Sequence, residues 1–317
     1  MSRQDELRLM AKVARMYYVQ GIRQHGITDR LQIHQSTVSR LLKRAREANL
    51  VRFSVTTPPG IFSDLEDKLA AAFSLKDSVV VESSTDEDRL VRDLGAAAGY
   101  YLETTLKPST RIGISSWSRS LFAMVDALHP GNYCEGGKVV QILGGVGNMG
   151  AQQETAMYLA QRLAASIGAV ALLLQSPAVV ATAEARRILA REPLVRETLE
   201  SFEHLDVALV GIGSMEPSRL LASSGNVFSA DERAELTRLG AVGDICFRYF
   251  DVHGDPIKSP LMQRVIGIEP PALRSVGRVI GIAGGKRKLQ AIKAALQGRW
   301  IDVLITDRRT AEGLAEE

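Results

Sequence analysis

The residues best suited to ligand chemistry lie in short loops that follow apolar runs of the sequence. The loop 115–120 ends the run RIGIS and opens a predicted helix, LFAMVDAL. Its four hydroxyls, its guanidinium and the free N–H groups of a helix N-terminus together suit a phosphate or a carboxylate. Ordinary helix capping by the serines is the alternative. The residues predicted to bind a ligand here are Ser115, Ser116, Trp117, Ser118, Arg119 and Ser120.

Two further loops are rich in glycine. Gly144 and Gly145 follow the run KVVQIL, and Gly211 and Gly213 end the run DVALVGIG. Glycine lets the backbone approach a ligand closely, but tight turns without any ligand contact use glycine equally well. We predict ligand contact for these four glycines, with the plain turn as the alternative.

The fourth loop, 284–288, reads GGKRK and precedes the final predicted helix. Its three cations stand where the helix dipole is already positive, each at a cost of roughly 0.3–1 kcal/mol. A bound anion would reverse that cost. We therefore predict that Lys288 faces a ligand, whereas Lys286 and Arg287 could equally point into solvent.

A second group of functional side chains lies near the N-terminus, in the stretch HQSTVSRLLKRARE (34–47). Residues 1–57 hold 11 Lys and Arg against 4 Asp and Glu, a balance of +7, whereas the remaining 260 residues carry a balance of −4. A basic head on a mildly acidic body indicates a polyanionic partner. Chance clustering of the charges is the alternative.

Helical spacing divides this basic stretch into two faces. Val38, Leu41, Leu42 and Ala45 repeat at i, i+3, i+4 and i+7 and are predicted to face inward. A helix-turn-helix requires three short helices, the third with an apolar inner face and a polar outer face. The predicted inward-facing residues of the first two helices are Met10, Val13, Ala14, Tyr17, Ile27 and Leu31.

The outer face of the third helix is suited to DNA. Short hydroxyl and amide side chains at its start can approach base edges in the major groove, and its cations can reach phosphates or guanine edges. A surface helix with solvated cations is the alternative. Alternating apolar residues at 51, 53 and 55 predict a short strand after it, a rudimentary wing. The predicted DNA-binding residues are Gln35, Ser36, Thr37, Ser39, Arg40, Lys43 and Arg44.

Beyond residue 60, helical patterns alternate with short apolar runs. This alternation, with strands buried on both faces, predicts a doubly wound α/β domain that binds ligands at the carboxyl ends of its strands. The predicted organisation is a small all-α helix-turn-helix domain over 1–57, a linker over 58–62 and an α/β domain over 63–317, to which the family resemblance given below assigns effector binding and oligomerisation. Helices are predicted over 61–73, 86–106, 118–128, 151–167, 182–202, 230–239 and 287–297, and strands over 78–82, 111–115, 138–143, 169–174, 206–212, 244–250, 278–283 and 302–306.

Several other classes of protein are disfavoured by the composition. Cys134 and Cys246 are the only cysteines, and the five histidines show no ligand spacing, so neither a metal site nor a disulfide framework is expected. We expect no cofactor. The N-terminus lacks the apolar core of a signal peptide, and polar residues and a proline interrupt the uncharged stretch 163–183. We therefore expect a cytoplasmic protein.

Five strings resemble the SorC family of sugar-responsive bacterial transcriptional regulators, in order and over nearly the whole chain. They are RIGISSWSRSL (111–121), VVQILGG (139–145), VGIGS (210–214), GAVGDICFRYFDVHG (240–254) and IAGGKRKLQAIKAALQGRWIDVLITD (282–307). The resemblance implies an effector domain folded like sugar-phosphate isomerases, a sugar or sugar-phosphate effector, and a homodimer or homotetramer. It assigns ligand contacts to the 115–120 loop, Gln141, Gly144, Gly145, Asp244, Asp251 and Lys288.

Two departures accompany the resemblance. Many SorC relatives have a glycine-rich loop where this chain has Ser-Ser-Trp-Ser-Arg-Ser, so the added side chains narrow that pocket. Residues 22–46 resemble the helix-turn-helix of bacterial repressors, but Gln32 stands where the turn usually has glycine.

Two functions of different classes fit these residues. In the first, the protein binds double-stranded operator DNA and regulates a carbohydrate or polyol catabolic operon, with a sugar, polyol or sugar phosphate as effector. Asp244, Asp251 and Gln141 would then form hydrogen bonds with the effector's hydroxyls, although either aspartate could instead cap a turn.

In the second function, a sugar-phosphate isomerase or deaminase carries a DNA-binding head. An aspartate would move a proton of the substrate, and Lys288 would stabilise the enediolate that forms. Because no acid–His cluster suited to deamination is visible, we predict a regulator without catalytic residues.

Overall fold

The chain forms two compact units, 1–58 and 59–317, in a computed structural model that describes residues 3–51, 58–147, 156–218, 221–222, 225 and 227–316. No helix among these residues combines the length and the apolar character needed to cross a bilayer. Each unit has a hydrophobic core of its own.

The first unit is helical. Helix α1 (Arg3–Ala14) continues into a π-helical turn (Arg15–Val19), and α2 (Gln24–Leu31) and α3 (Gln35–Glu47) follow. Its core includes Val13, Ile27, Val38 and Ala45, each fully buried. The predicted inward face of the third helix is thereby confirmed.

Two details of this unit depend on backbone geometry. Tyr17 was predicted to face inward but is 36% exposed, and Met16 is buried in its place. The π-helical turn has more residues per turn than an α-helix, so a different set of residues faces inward after it.

Gln32, in the turn between α2 and α3, has a φ of +53°, the left-handed conformation that explains why glycine is usual there. Most of the predicted wing, 52–55, lies outside the described residues.

The second unit is built on a parallel sheet. Within the described part of the chain, seven strands pair in the order β1-β10-β9-β5-β2-β3-β4, and three short strands form an antiparallel sheet in the order β6-β7-β8. The strands are β1 (Asp77–Val81), β2 (Arg111–Ile114), β3 (Lys138–Gln141), β4 (Val170–Leu172), β5 (Val207–Gly211), β6 (Gly213–Ser214), β7 (Gly243–Ile245), β8 (Arg248–Phe250), β9 (Arg278–Ile282) and β10 (Val303–Asp307).

Helices cover both faces of the parallel sheet. Leucines and isoleucines of α5, α6 and α7 form one core with the sheet, while α4, α12 and α13 contribute to the core on the other face. This confirms the predicted doubly wound α/β class. The helices are α4 (Ser63–Phe73), α5 (Glu87–Thr105), α6 (Arg119–Ala127), α7 (Ala156–Ile167), α8 (Ala183–Leu189), α9 (Pro193–Glu200), α10 (Ala230–Arg238), α11 (Pro270–Ser275), α12 (Leu289–Gln297) and α13 (Arg308–Ala315).

Two predicted elements were wrong. The run 244–250 is not one strand of the parallel sheet but the hairpin β7–β8, because Cys246 and Phe247 both have positive φ and make a two-residue turn. The predicted helix 182–202 is two helices, because Glu192 is extended ahead of Pro193, and proline disfavours a helical conformation in the residue before it.

The order of the strands creates a crevice. From β2 the chain moves outward through β3 and β4, then returns to β5 on the other side of β2 and continues to β9 and β10. The loops after β2 and β5 therefore leave in different directions at the carboxyl edge of the sheet. Such a switch point is where doubly wound domains bind ligands.

Candidate functional site

A cavity of about 770 Å³ opens at this switch point, in the size range of small-molecule sites. The loop after β2, the β5–β6 segment, the β7–β8 hairpin and the turn before α12 surround it. Among the predicted ligand-binding residues, those that line the cavity are Ser115, Ser116, Trp117, Ser118, Arg119, Ser120, Gly211, Gly213, Asp244 and Lys288.

The loop after β2 is held from beneath by hydrogen bonds. Trp117 adopts a φ of +63°, and its indole N–H donates to the Gly144 carbonyl at 3.2 Å. The Ser116 hydroxyl donates to the Leu143 carbonyl at 2.8 Å and accepts from the Gln141 side chain at 3.1 Å. The loop is thus fixed before any ligand arrives.

Four predicted contact residues do not line the cavity. Gln141 is buried beneath the loop and also accepts from the Leu174 N–H at 3.1 Å. Gly144 packs against the backbone of Pro177, with Gly145 buried beside it. The Asp251 carboxylate accepts from the backbone N–H groups of residues 253 and 255, at 2.9 and 3.0 Å, and so caps its own turn. These four residues thus support the site or a turn from outside the cavity lining, and their predicted ligand contacts stay predictions.

The two glycines that line the cavity let polar side chains pack directly against their backbone. A Cβ at Gly211 would lie 2.6 Å from the Ser118 Oγ, and one at Gly213 would overlap the Asp244 carboxylate. Ser118 itself caps α6 by accepting from the Leu121 N–H at 3.4 Å. Small residues are therefore needed for Ser118 and Asp244 to occupy these positions.

Asp244 and Lys288 form the electrostatic centre of the cavity. Burial raises the pKa of Asp244 to about 6, against the opposing effects of the Phe247 N–H, which donates at 2.9 Å, and of the Lys288 charge. Burial lowers the pKa of Lys288, and Asp244 partly restores it. The Lys288 ammonium makes no hydrogen bond or ion pair with any described residue, so its donors are available to a ligand.

A separate network holds the turn that carries Lys288. Gly285 has a φ of +92°, and its N–H donates to the Asp307 carboxylate at 2.7 Å. That carboxylate also accepts from the hydroxyls of Thr310, at 2.6 Å, and Ser83, at 2.8 Å. Although burial raises the pKa of Asp307, these hydrogen bonds bring it below its ordinary value. The Gly285 amide is therefore engaged by protein and not free for an anion.

Several lining residues were missed from the sequence. Arg119 pairs with Asp88, and Arg287 lies 3.3 Å from Glu87 and 3.9 Å from Glu216. Asp86 caps α5, and Glu87 and Asp88 lie in its first turn, but nothing in the sequence connects these residues to the cavity. The missed polar residues that line the cavity include Asp86, Glu87, Asp88, Glu216, Arg233 and Tyr249.

In the first unit, α3 presents its predicted outer face to solvent. The residues at 35, 36, 39, 40 and 43 are exposed, and Thr37 is partly exposed. Arg44 is different, because its guanidinium pairs with Glu6 of α1. This pair lowers the pKa of Glu6 and raises that of Arg44. Arg44 is thus joined to α1, which sequence spacing did not indicate.

Comparison with known proteins extends over both units. The Sugar-bind family model, which describes a sugar-binding domain, matches residues 59–316. The chain is 31% identical over 314 residues to the deoxyribonucleoside regulator of Bacillus subtilis (strain 168), covering 99% of each chain. It is 30% identical over 309 residues to the transcriptional regulator LsrR of Escherichia coli (strain K12), covering 96% of this chain and 93% of the other.

A solved structure gives the same result. The full-length sorbitol operon regulator SorC of Klebsiella pneumoniae superposes with a TM-score of 0.74 at 31% identity, and 98% of each chain is covered. Its sequence likewise aligns at 31% identity over 314 residues. The predicted resemblance is confirmed: the chain belongs to the SorC family of sugar-binding transcriptional regulators.

Proposed function

We propose that a sugar, polyol or sugar phosphate binds in the switch-point cavity and thereby controls the binding of α3 to operator DNA of a carbohydrate or polyol catabolic operon. One observation carries this proposal. Segments as distant in sequence as the 115–120 loop, Asp244 and Lys288 converge on a single cavity at the carboxyl edge of the sheet. Hydroxyls, a carboxylate and a free ammonium are the groups needed to bind a hydroxylated, anionic ligand.

The cavity residues have distinct roles in this proposal. Lys288 and the 115–120 loop hold the anionic or most polar end of the effector through charge-assisted hydrogen bonds. Asp244 accepts hydrogen bonds from its hydroxyls. Arg119 is a weaker candidate for the anion, because Asp88 already neutralises it.

The head provides the contact with DNA. Exposed hydroxyl and amide groups at the start of α3 read base edges, while Arg40 and Lys43 reach phosphates or guanines. We propose that the protein assembles with copies of itself into a homodimer or homotetramer, so that paired heads bind half-sites separated by whole turns of the duplex.

An enzyme is the second candidate, and one observation favours it. A carboxylate with a pKa of about 6 beside a lysine suits proton abstraction next to a carbonyl. Asp251 does not join them in the cavity, and neither does His253, so an acid–His pair is not assembled there. We propose that the cavity binds without catalysis. Saturable turnover of a sugar phosphate that is abolished in Lys288→Ala would overturn this choice.

A thermal-shift screen tests the main proposal. Sugars, polyols and their phosphates are added to the full chain, and a true effector at 100 times its Kd should stabilise the fold by about 2.7 kcal/mol. The stabilising compound must also change the affinity for promoter DNA in a mobility-shift assay. Stabilisation without any effect on DNA binding would contradict control by that compound.

A further inference from the structure

Among the described residues, the cations that line the cavity fall into two groups. Arg119 and Arg287 are paired with carboxylates, as described above. Lys288 and Arg233 form no ion pair with any described residue. Because a cavity-lining cation that no described carboxylate neutralises gains the most from a ligand anion, these two mark the positions where anionic groups are best held.

Lys288 and Arg233 lie at the two ends of one polar wall. Asp244 and Tyr249 are directly opposite in the register of β7 and β8, so their side chains share the face that lines the cavity. The charge of Lys288 acts on Asp244. Beyond Tyr249, the Phe228 ring lies 6.0 Å from the Tyr249 ring, and the Arg233 guanidinium donates to the Phe228 carbonyl. Pairwise interactions thus connect Lys288 to Asp244, Asp244 to Tyr249 and Tyr249 to Arg233.

Besides the charge of Arg233, the Tyr249 hydroxyl indicates that a ligand group binds at the part of the cavity next to Arg233. Tyr249 is only 5% exposed, yet its hydroxyl has no hydrogen-bond partner among the described residues. Burial and the neighbouring Asp244 raise its pKa, so the hydroxyl stays protonated and can donate. A hydroxyl that lines the cavity can donate to a ligand anion held beside Arg233.

We propose that the cavity is built for a sugar or sugar acid with an anionic group at each end and hydroxyls between them. Lys288 and the 115–120 loop hold one end, and Arg233 with the Tyr249 hydroxyl holds the other. Asp244 lies between the two cations, where it repels an anion and accepts from hydroxyls. This inference rests on the proposed effector site and specifies its ligand class.

Matched probes test the inference by isothermal titration calorimetry on the full chain. Glucose 6-phosphate carries one anionic end, whereas glucose 1,6-bisphosphate and 6-phosphogluconate carry two, and ribose 5-phosphate and ribose 1,5-bisphosphate repeat the comparison on five carbons. We expect a two-anion probe to bind about tenfold or more tightly than its one-anion partner, the effect of one charge-assisted hydrogen bond. Preference for 6-phosphogluconate or for a bisphosphate distinguishes a carboxylate from a phosphate at the Arg233 end.

Variants separate recognition from a structural role. Arg233→Ala should weaken the two-anion probe about tenfold more than the one-anion probe, whereas Lys288→Ala should weaken both alike. Tyr249→Phe should remove part of the advantage. Arg238→Ala is the matched control, because Arg238 is exposed on the same helix and does not line the cavity.

The outcomes separate this inference from the function on which it rests. Equal binding of one-anion and two-anion probes, or equal weakening of both by Arg233→Ala, would overturn the inference and leave a one-anion effector site intact. Failure of every probe in the screen to bind would instead contradict the proposed effector site, and the inference with it.

Discussion

The two proposed binding surfaces of this protein use charge in opposite ways. On α3, Arg40 and Lys43 extend into solvent, where salt screens them and their number matters more than their positions. In the cavity, Asp244 and Lys288 are enclosed, and each changes the pKa of the other. Exposed charges suit a long polyanion that is contacted at many points. Enclosed charges suit a small ligand of defined shape, because each must find a partner.

The comparison predicts that the largest effect of a single substitution occurs in the cavity. Lys288→Ala removes an enclosed ammonium that makes no hydrogen bond or ion pair with the described residues, and effector affinity should fall about 100-fold, the upper range for a charged hydrogen bond. Lys286→Ala is the control, since Lys286 is exposed on the same turn and does not line the cavity. Calorimetric titration with the stabilising ligand measures both, and equal affinities for the two variants would contradict the role of Lys288.

For the DNA-binding helix α3, we expect a single substitution to reduce affinity less than Lys288→Ala does in the cavity. Arg40→Ala should weaken operator binding by about 1–3 kcal/mol if the side chain reads a guanine. Fluorescence anisotropy on operator and random duplexes measures the loss, with Lys68→Ala in the second unit as a control of equal charge change. An equal loss on both duplexes would place Arg40 on a phosphate and not on a base.

The enclosed carboxylate also predicts a pH dependence that the exposed helix does not share. Asp244 has a folded-state pKa of about 6, so it is mostly protonated at pH 5 and mostly ionised at pH 7. If the ionised form accepts from effector hydroxyls, affinity should rise about tenfold between pH 5 and pH 7. Asp244→Asn should abolish this slope. Tighter binding at pH 5 would show that the protonated form is the competent one.

The same raised pKa has an opposite consequence for stability. The folded protein retains the Asp244 proton to a higher pH than the unfolded chain, whose aspartates titrate near 3.8. The contribution of Asp244 to stability therefore falls as pH rises from about 4 to about 6. Urea unfolding of Asp244→Asn beside the parent protein isolates this contribution, and a parallel pH dependence in both proteins would contradict it.

The smallest effect is expected at Arg44. Because Glu6 already pairs with this guanidinium, Arg44→Ala should weaken DNA binding less than Arg40→Ala does. Glu6→Gln should free Arg44 and strengthen binding slightly. Anisotropy at several salt concentrations checks the order, and a greater loss for Arg44→Ala than for Arg40→Ala would place Arg44 on the DNA.

The elements that follow a periodic sequence pattern were predictable, whereas the contacts that individual side chains make in the fold were not. The alternation of apolar runs and helical patterns predicts the parallel strands, and spacing alone predicts the inward face of α3. A continuous apolar run such as 244–250 does not reveal the two positive φ values that fold it into a hairpin. Likewise, whether an aspartate lines a cavity, as Asp244 does, or caps a turn, as Asp251 does, depends on the fold around it.

The cavity residues and the ion pair that sequence analysis missed were missed for the same reason. Arg233 and Tyr249 join the site through Phe228, whose ring lies against Tyr249 and whose carbonyl accepts from Arg233, and no local motif connects them to the 115–120 loop. Arg44 is 38 residues from Glu6, a separation at which helical spacing carries no information about pairing. The 115–120 loop, assigned from a local pattern, lines the cavity, whereas the equally local glycine pattern at 144–145 does not. Side chains that meet across distant segments required the structure.

The placement of the two tryptophans supplies an optical readout that needs no added dye. Trp117 lines the cavity with its indole fixed to Gly144, whereas Trp300 is fully buried against Phe250 and its indole donates to the Gly254 carbonyl at 2.7 Å. A ligand that enters the cavity changes the surroundings of the first fluorophore and leaves the second as an internal reference. Intrinsic emission of the native chain, with Trp117→Phe as the blank, therefore reports occupancy in real time.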